Sequence, residues 1–215
     1  GSSGLSGCCN SVLAMVGDTI SKLTGPKDRS VRALMGDCGS ATIIEKGDKS
    51  ISFCFSGDGS RYRSLIVPAG GSRNPYSPES SSPSCGENGN WRSGTDLYMD
   101  GLEIMKFALN DVVEFVAATL EEQKIPREKI GLYVFHQANR FIVETLAKLL
   151  GLPLGNVPVE VTDVGNTSSA SIPLALVRTL GKNRGKDHPR DLTNTMLIGF
   201  GVGLSCGTAI TDLSE

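Results

Sequence analysis

From about residue 100 onward, amphipathic segments with helical spacing alternate with short apolar runs, and this alternation limits the chain to layered α/β folds. The longest amphipathic segment precedes Ile125-Pro126, which should end it. Its apolar face consists of Met105, Leu109, Val112, Val116 and Leu120. A helix of this kind must bury that face against a sheet or another helix, so the pattern predicts a shared hydrophobic core.

The remaining elements follow from periodicity and turn residues. The predicted strands after residue 100 are 130–135, 157–161, 194–198 and 207–211, and the predicted helices are 137–150 and a segment from Thr167 or Ser168 to about residue 180. The first 70 residues favour strands at 11–16, 41–45 and 51–55, of which the first should be buried. Residues 72–96 are rich in Ser, Pro, Gly and Asn, which predicts a long surface loop.

Composition excludes several functional classes. The chain has 215 residues, 39% of them hydrophobic, and a net charge of -2, which is typical of a soluble globular protein rather than a disordered one. We expect no nucleic-acid partner, since there is no basic excess, and no membrane span, since no long apolar run occurs. The six cysteines form no CxxC pair, which indicates reduced cytoplasmic thiols and no metal site. No signal peptide is apparent.

Two polar residues stand where strands meet helices. His136 follows the apolar run that ends at Phe135, and ligands of α/β sheets bind at the carboxyl ends of strands. Asn166 lies in a turn before a predicted helix, where it could equally serve as a capping residue. His136 could likewise be a satisfied core histidine, whereas His188 lies in a polar loop. Together, a turn His and a turn Asn could donate hydrogen bonds to an oxyanion.

Two glycine-rich patterns do not support the functions they suggest. Gly203-Leu204-Ser205-Cys206-Gly207 matches the G-x-S-x-G nucleophile elbow, but the ten residues after Ser205 contain no His to complete a triad. Residues 199–203 are rich in glycine but lack the G-x-G-x-x-G spacing and open no helix. A serine hydrolase and a dinucleotide-binding protein are therefore disfavoured.

Three ordered motifs resemble those of the β-ketoacyl-acyl carrier protein synthase III family. They are His136-Gln137-Ala138-Asn139, Gly165-Asn166-Thr167-Ser168 and Gly199-Phe200-Gly201-Val202-Gly203. The similarity continues upstream through residues 16–18, 28–30 and 36–41. It implies the thiolase-like layered α/β fold, with a complete C-terminal half and the end of the N-terminal half. The implied segments are 1–71 for the N-terminal tail, 72–98 for the loop and 99–215 for the C-terminal half.

The resemblance implies a decarboxylative Claisen condensation of acyl-CoA with malonyl-acyl carrier protein in fatty acid biosynthesis. In that family a Cys at a helix N-terminus takes the acyl group, and a His and an Asn stabilise the enolate. His136 and Asn166 match this pair, and Phe200 matches the residue that packs beside the reactive centre. No cofactor or metal is implied, because the coenzyme A thioester is a substrate.

The resemblance also implies binding residues. Arg29 and Asn139 match positions that contact coenzyme A. Arg140 and Lys148 match the basic helix face that meets acyl carrier protein, although Phe141 stands where the family has Arg and Arg140 is displaced by one residue. Members of the family form homodimers, but largely through the half that this chain does not match, so dimerisation of this chain is in doubt.

The nucleophilic Cys of the family lies upstream of the residues matched here. Cys8 and Cys9 run into a predicted strand and lack the helix that would activate a thiol. Cys38 and Cys206 fit small buried residues better. We therefore expect that the 215-residue chain alone forms no acyl-enzyme.

Two alternatives remain open at the level of sequence. The first is a condensing enzyme of specialised metabolism, which makes a polyketide or quinolone-type starter unit, since Leu102 and Met105 differ from the family and suggest a changed acyl pocket. The second is a non-catalytic binding or assembly subunit that depends on a separate chain for the Cys.

Overall fold

The computed structural model of the protein describes residues 9–86, 89–183 and 191–214, so that Cys8 and His188 lie outside the described residues. The strands are β1 (Ser11–Asp18), β2 (Cys38–Glu45), β3 (Ser52–Gly57), β4 (Leu65–Ile66), β5 (Ser84–Cys85), β6 (Trp91–Arg92), β7 (Tyr98–Met99), β8 (Tyr133–Phe135), β9 (Thr195–Gly201) and β10 (Ser205–Thr211). The α-helices are α1 (Gly101–Lys106), α2 (Val112–Glu122), α3 (Arg140–Leu149) and α4 (Ser171–Asn183).

The main sheet has the strand order β3-β10-β9-β8. Strand β10 is antiparallel to both neighbours, and its residue Cys206 lies opposite Ser56 of β3 and Phe200 of β9. Strand β8 is parallel to β9, with Val134 opposite Leu197. Parallel neighbours need a crossover connection, and α3 and α4 occupy the chain between them. The strands predicted around 51–55, 130–135, 194–198 and 207–211 are confirmed.

Alternate residues of the central apolar run face two different helical layers. Tyr133 and Phe135 are fully buried in the core that includes residues of α2 and α3, whereas Leu132 and Val134 are buried in the core that includes Ala175 of α4. Each such side chain contributes about 1.5–3 kcal/mol through removal of apolar surface from water. Helices thus cover both faces of the sheet, which confirms the predicted α/β layering.

A π-helical turn over Phe107–Asp111 joins α1 to α2 and corrects the predicted apolar face. Val112 and Val116 are buried as expected, but Met105 is 39% exposed and Phe107 is buried instead. The wider turn changes which residues face the core. Arg61 fixes this turn, because its guanidinium bonds both carboxylate oxygens of Asp111. The same guanidinium lies over the Phe107 ring.

The prediction of a strand at residues 157–161 was wrong, since none forms there. Val157 and Val161 are buried, so the apolar pattern correctly indicated burial. The backbone, however, bonds to a side chain instead of a neighbouring strand: the N–H of Glu160 donates to Oε1 of Gln137. Pro158 has no N–H to donate to a ladder. The predicted helix 137–150 also begins later, at Arg140.

Strands β1 and β2 pair along their full length, with Ser11 opposite Glu45 and Asp18 opposite Cys38. The expectation that the first strand is buried was wrong for this chain, because Met15 is 74% exposed and Leu13 is 55% exposed. Asp18, at the end of β1, attaches the pair to the rest of the molecule by accepting bonds from the N–H and hydroxyl of Ser169.

Residues 72–96 form turns and the short antiparallel pair β5–β6 rather than an uninterrupted loop. Strand β3 comes from the segment 1–71, yet it pairs with β10 of the segment 99–215. The two segments therefore share one sheet. Within the described residues, the structure contains no helix whose length and apolar character would allow it to cross a membrane.

Candidate active site

His136 is held at the carboxyl end of β8. Its backbone N–H donates to the carbonyl of Ile198 at 2.7 Å, which continues the β8–β9 ladder by one residue. Its ring meets the Phe200 ring edge to face, with centroids 5.2 Å apart and an interplanar angle of 88°. This contact sets the plane of the imidazole and gives one side of it an apolar neighbour.

The two ring nitrogens of His136 have different surroundings. Nδ1 lies 2.6 Å from the hydroxyl oxygen of Ser171, the first residue of α4. Burial lowers the pKa of His136 to about 4, because the charged imidazolium would lose its hydration. The ring is therefore neutral at pH 7 and carries a proton on only one nitrogen.

Asn166 is positioned by the segment around Met35. Its backbone N–H donates to the carbonyl of Leu34 at 2.8 Å, and its carbonyl accepts from the N–H of Gly36 at 2.9 Å. Gly165, at a φ of 70°, provides the left-handed turn that brings the chain into this pairing. Two hydrogen bonds thus fix the backbone of Asn166 independently of the contacts that its side chain makes.

The side chain of Asn166 has one committed atom and one free atom. Oδ1 accepts from the backbone N–H of Ser168 at 2.9 Å. This bond assigns the amide orientation, since the exchanged orientation would place two donors together. Within the described ranges, Nδ2 has no hydrogen-bond partner in the protein, so it remains available as a donor.

Both residues line one cavity of ≈ 570 Å³. Its polar lining includes His136, Asn166 and serines at the start of α4 and in the turn before it. Its apolar lining includes Ile20, Met35, Phe55, Leu65, Leu97 and Phe200. A neutral imidazole and a side-chain amide that line the same largely apolar cavity could both act as N–H donors to an oxygen atom that gains negative charge.

The glycine-rich segment predicted at 199–203 forms the end of β9 and the turn into β10, with Gly203 at a φ of 142°. Asp58 closes this turn from the neighbouring strand: its N–H donates to the carbonyl of Leu204, and its carbonyl accepts from the Leu204 N–H. Gly199, Gly201 and Val202 line the cavity. The turn therefore forms a wall of the cavity and opens no helix.

The described thiols do not resemble an activated nucleophile. Cys9 is exposed and precedes β1, whose opposite end contacts Ser169, so roughly 30 Å of extended chain separates it from that contact. Cys206 does line the cavity, but burial raises the pKa of its thiol to about 11. Cys206 is thus the small buried residue that was expected, and at neutral pH it is protonated.

The other predicted site residues lie outside the cavity lining. Arg29 is exposed, and its backbone N–H donates to Oδ1 of Asn90. Asn139 is the N-cap of α3, where Oδ1 accepts from the N–H of Ile142 at 2.8 Å. The side chain of Asn139 therefore has a structural role that the sequence reading did not identify.

Arg140 and Lys148 are exposed on α3, two turns apart. The guanidinium of Arg140 bonds Glu144 at 3.2 Å and the hydroxyl of Thr162 at 2.7 Å. Its charge is therefore partly compensated within the protein. Phe141, between them in sequence, is 59% exposed.

Leu102 and Met105 were expected to signal a changed acyl pocket, but they lie on the exposed side of α1 and are not part of the cavity lining. Leu65, Leu97 and Phe55 line it instead. The sequence reading missed these residues because they come from separate strands and loops. Among the described residues no cluster of His, Cys, Asp or Glu could hold a metal ion.

Comparison with known families agrees with the three motifs. Residues 120–213 match the family model described as 3-oxoacyl-[acyl-carrier-protein (ACP)] synthase III C terminal. Residues 5–59 match the model described as 3-oxoacyl-[acyl-carrier-protein (ACP)] synthase III. The two matches together cover the strands of the main sheet and the segments that carry His136 and Asn166.

Individual relatives show the same likeness. The β-ketoacyl-[acyl-carrier-protein] synthase III of Lactococcus lactis is 34% identical over 211 residues, which are 97% of this chain and 61% of that protein. A crystal structure of a 3-oxoacyl-(acyl-carrier-protein) synthase III is 38% identical with a TM-score of 0.90, and the match covers 98% of this chain and 63% of that one. The priming β-ketosynthase of the R1128 polyketide pathway is 28% identical with a TM-score of 0.73, over 96% of this chain and 58% of that one. The chain thus spans about three fifths of the length of the curated relatives it matches.

Proposed function

This chain belongs to the 3-oxoacyl-[acyl-carrier-protein] synthase III family, which has the thiolase-like fold, and we propose that it carries the decarboxylation site of a condensing acyltransferase. The observation that carries the proposal is the convergence of His136 and Asn166 on one cavity, each with one side-chain atom committed to the protein and one left for a ligand. The substrates are acyl-CoA and malonyl-acyl carrier protein, and the pathway is fatty acid biosynthesis.

The chemistry begins with the malonyl thioester carbonyl, which accepts hydrogen bonds from His136 Nε2 and Asn166 Nδ2. The bond between the α-carbon and the carboxylate breaks, CO₂ leaves, and the electron pair moves onto the carbonyl oxygen as an enolate. Because the imidazole is neutral, it needs no counter-ion in the cavity, and its N–H is free to donate to that oxygen. Each such donor contributes about 3 kcal/mol, or on the order of 100-fold in rate.

The enolate carbon then attacks the carbonyl carbon of the acyl-Cys thioester and forms the new C–C bond, while the C–S bond breaks and the cysteine thiolate leaves. None of the thiols within the described ranges has the helix-terminus setting that lowers a thiol pKa, so we assign the acyl-carrying Cys to a position outside them. Cys8 also lies outside these ranges, but the strand β1 and not a helix follows it, so we expect no covalent mass increase when the 215-residue chain is incubated with acyl-CoA and then denatured.

The remaining assignments belong to the same proposal. Arg29 and Asn139 contact coenzyme A, and Arg140 and Lys148 meet the carrier protein. The reaction needs no metal or organic cofactor, since the thioester itself activates the carbonyl. The full-length enzyme is a homodimer in the cytoplasm, where unpaired cysteines such as Cys206 stay reduced. The division into segments 1–71, 72–98 and 99–215 describes the order of the chain, with one sheet shared between the first and the last.

A second candidate is a priming condensing enzyme of polyketide biosynthesis. The observation in its favour is the structural likeness to the R1128 priming β-ketosynthase. Both candidates use the same decarboxylation residues and differ in the acyl chain that they accept. Turnover of the full-length gene product with acyl-CoA substrates of different length and branching separates them, because a fatty-acid enzyme and a polyketide-priming enzyme accept different starters.

The test of the proposal is CO₂ release from malonyl-acyl carrier protein by the full-length gene product. His136→Ala and Asn166→Ala should each lower kcat by about 100-fold. Asn156→Ala is the matched control, because Asn156 bonds the carbonyl of Ile130 and does not line the cavity. Wild-type rates in both site variants would overturn the proposal. The third possibility, a binding or assembly subunit, predicts carrier-protein binding without any CO₂ release.

A further inference from the structure

The hydroxyl of Ser171 lies beside the His136 ring: its Oγ is 2.6 Å from Nδ1, and Ser171 is 2% exposed. A buried serine hydroxyl has one proton to donate and must place it on an acceptor. If the acceptor is Nδ1 of His136, that nitrogen carries no proton, and the single proton of the neutral ring lies on Nε2.

The hydrogen-bond partners that the protein supplies to Ser171 favour one assignment. Its Oγ accepts from the backbone N–H of Gln137 at 3.4 Å, so that bond leaves the hydroxyl proton unused. Among the described residues, the Ser171 hydroxyl has no acceptor within reach other than His136 Nδ1. The proton therefore goes to Nδ1, and the single imidazole proton of the neutral ring resides on Nε2.

The donor that fixes Ser171 is itself held rigidly. Gln137 is 2% exposed, and its side-chain amide donates to the carbonyl of Phe135 at 2.7 Å. Its Oε1 accepts from the N–H of Glu160 at 2.8 Å. Gln137 thus ties the end of β8 to the segment 157–161, and its backbone N–H cannot turn away from Ser171 without breaking these bonds.

We propose that Ser171 is a positioning residue that holds His136 as the Nε2–H tautomer, so that a hydrogen-bond donor, and not a lone pair, faces the cavity. The inference rests on the proposed function for its catalytic consequence, since only an oxygen that gains negative charge needs a donor there. With the other tautomer, the Nε2 lone pair would repel the enolate oxygen.

The direct test is the protonation state of the two ring nitrogens, read by nitrogen-15 NMR of histidine-labelled protein at pH 7. The 215-residue chain contains only two histidines, and His136→Gln assigns the relevant signals. The wild type should show a protonated Nε2 and an unprotonated Nδ1 that accepts a hydrogen bond. Ser171→Ala should give a mixture of tautomers, whereas Ser171→Thr, which keeps the hydroxyl, should retain the wild-type pattern.

The matched control is Thr179→Val, which removes another buried hydroxyl of α4, one with no hydrogen-bond partner among the described residues. It should leave the His136 signals unchanged. In the CO₂-release assay Ser171→Ala should lower kcat about tenfold with little change in KM, the size expected for one hydrogen bond that matters in the transition state. A general packing defect would affect both variants alike.

The outcomes distinguish a failure of the positioning role of Ser171 from a failure of the proposed decarboxylation function. A proton on Nδ1 in the wild type, or an unchanged tautomer in Ser171→Ala, would overturn the positioning role. If Ser171→Ala does not fold, the wild-type tautomer and Ser171→Thr still decide it. Reduced CO₂ release in His136→Ala but not in Ser171→Ala refutes the inference and leaves the proposed function intact. Full activity in His136→Ala refutes the proposed function, whatever the tautomer.

Discussion

Gly36 is the position where the smallest change in the chain should have the largest effect on the candidate site. A Cβ at Gly36 would lie 1.8 Å from the backbone carbonyl oxygen of Val164. The two segments would have to separate by more than 1 Å to reach even 3.0 Å, the lower limit that real Cβ atoms respect. The neighbour is backbone and not a flexible side chain, so it cannot rotate away.

The cost of Gly36→Ala follows from what that separation breaks. The bonds from Gly36 to Asn166 and from Asn166 to Leu34 are 2.9 and 2.8 Å long, and each contributes about 1 kcal/mol net. Strain from overpacking adds about 1–3 kcal/mol. Alanine also lowers the conformational entropy of the unfolded chain, which stabilises the variant by about 0.4–1 kcal/mol and offsets part of this loss. The free energy of unfolding should therefore fall by about 2–5 kcal/mol.

The assay is urea unfolding at pH 7 with Gly39→Ala as the matched control. A Cβ at Gly39 would meet nothing within 4 Å, so that variant should be as stable as the wild type or slightly more stable. The midpoint of Gly36→Ala should drop at an unchanged m-value. Its CO₂ release should also fall by on the order of 100-fold, since a displacement of about 1 Å at a catalytic group has that effect. Equal midpoints for the two alanine variants would refute the role given to this contact.

Further predictions concern pH and two local anchors. The pKa of His136 is about 4 in the folded protein and about 6.5 in the unfolded chain, so the unfolded state binds more protons between these values. The free energy of unfolding should therefore decrease by about 2–3 kcal/mol as pH falls from 7 to 4. In His136→Gln the part of the pH dependence that comes from this histidine should be absent, so urea midpoints measured between pH 7 and 4 should fall less than those of the wild type. Asn139→Ala removes the N-cap bond to Ile142 and should cost about 1 kcal/mol, measured by thermal unfolding. Arg61→Lys loses the two-pronged bond to Asp111 and should cost about 1 kcal/mol in the same measurement, with a double-mutant cycle to isolate the pair.

Local patterns predicted those elements whose backbone bonds stay within regular structure. The strand before His136 and the helix after it were both found, because apolar periodicity alone defines them. The segment 157–161 has an equally apolar pattern, but its backbone bonds go to the Gln137 side chain. Nothing in the local sequence signals that a glutamine 23 residues away will take the place of a strand.

Burial was harder to predict than element type. Strand β1 formed where expected, yet Met15 and Leu13 are largely exposed, because the described residues supply no second layer over them. The site shows the converse: His136 and Asn166 were identified from motifs, whereas Ser171 was not, although it lies only three residues after the motif that contains Asn166. Its role depends on a contact across 35 residues of sequence, which no spacing rule contains.

One short turn orients both donors of the candidate site. The N–H of Ser168 holds Oδ1 of Asn166, and the hydroxyl of Ser171 holds Nδ1 of His136, so the two anchors are three residues apart at the start of α4. A shift of this turn would move both anchors together and would preserve the angle between the two free N–H groups. Preorganised donors cost no reorganisation when charge develops, which is the condition for a large contribution to rate. The serine-rich sequence of the turn is thus explained by its chemistry, because small hydroxyl side chains and free backbone N–H groups can reach both donors without filling the cavity.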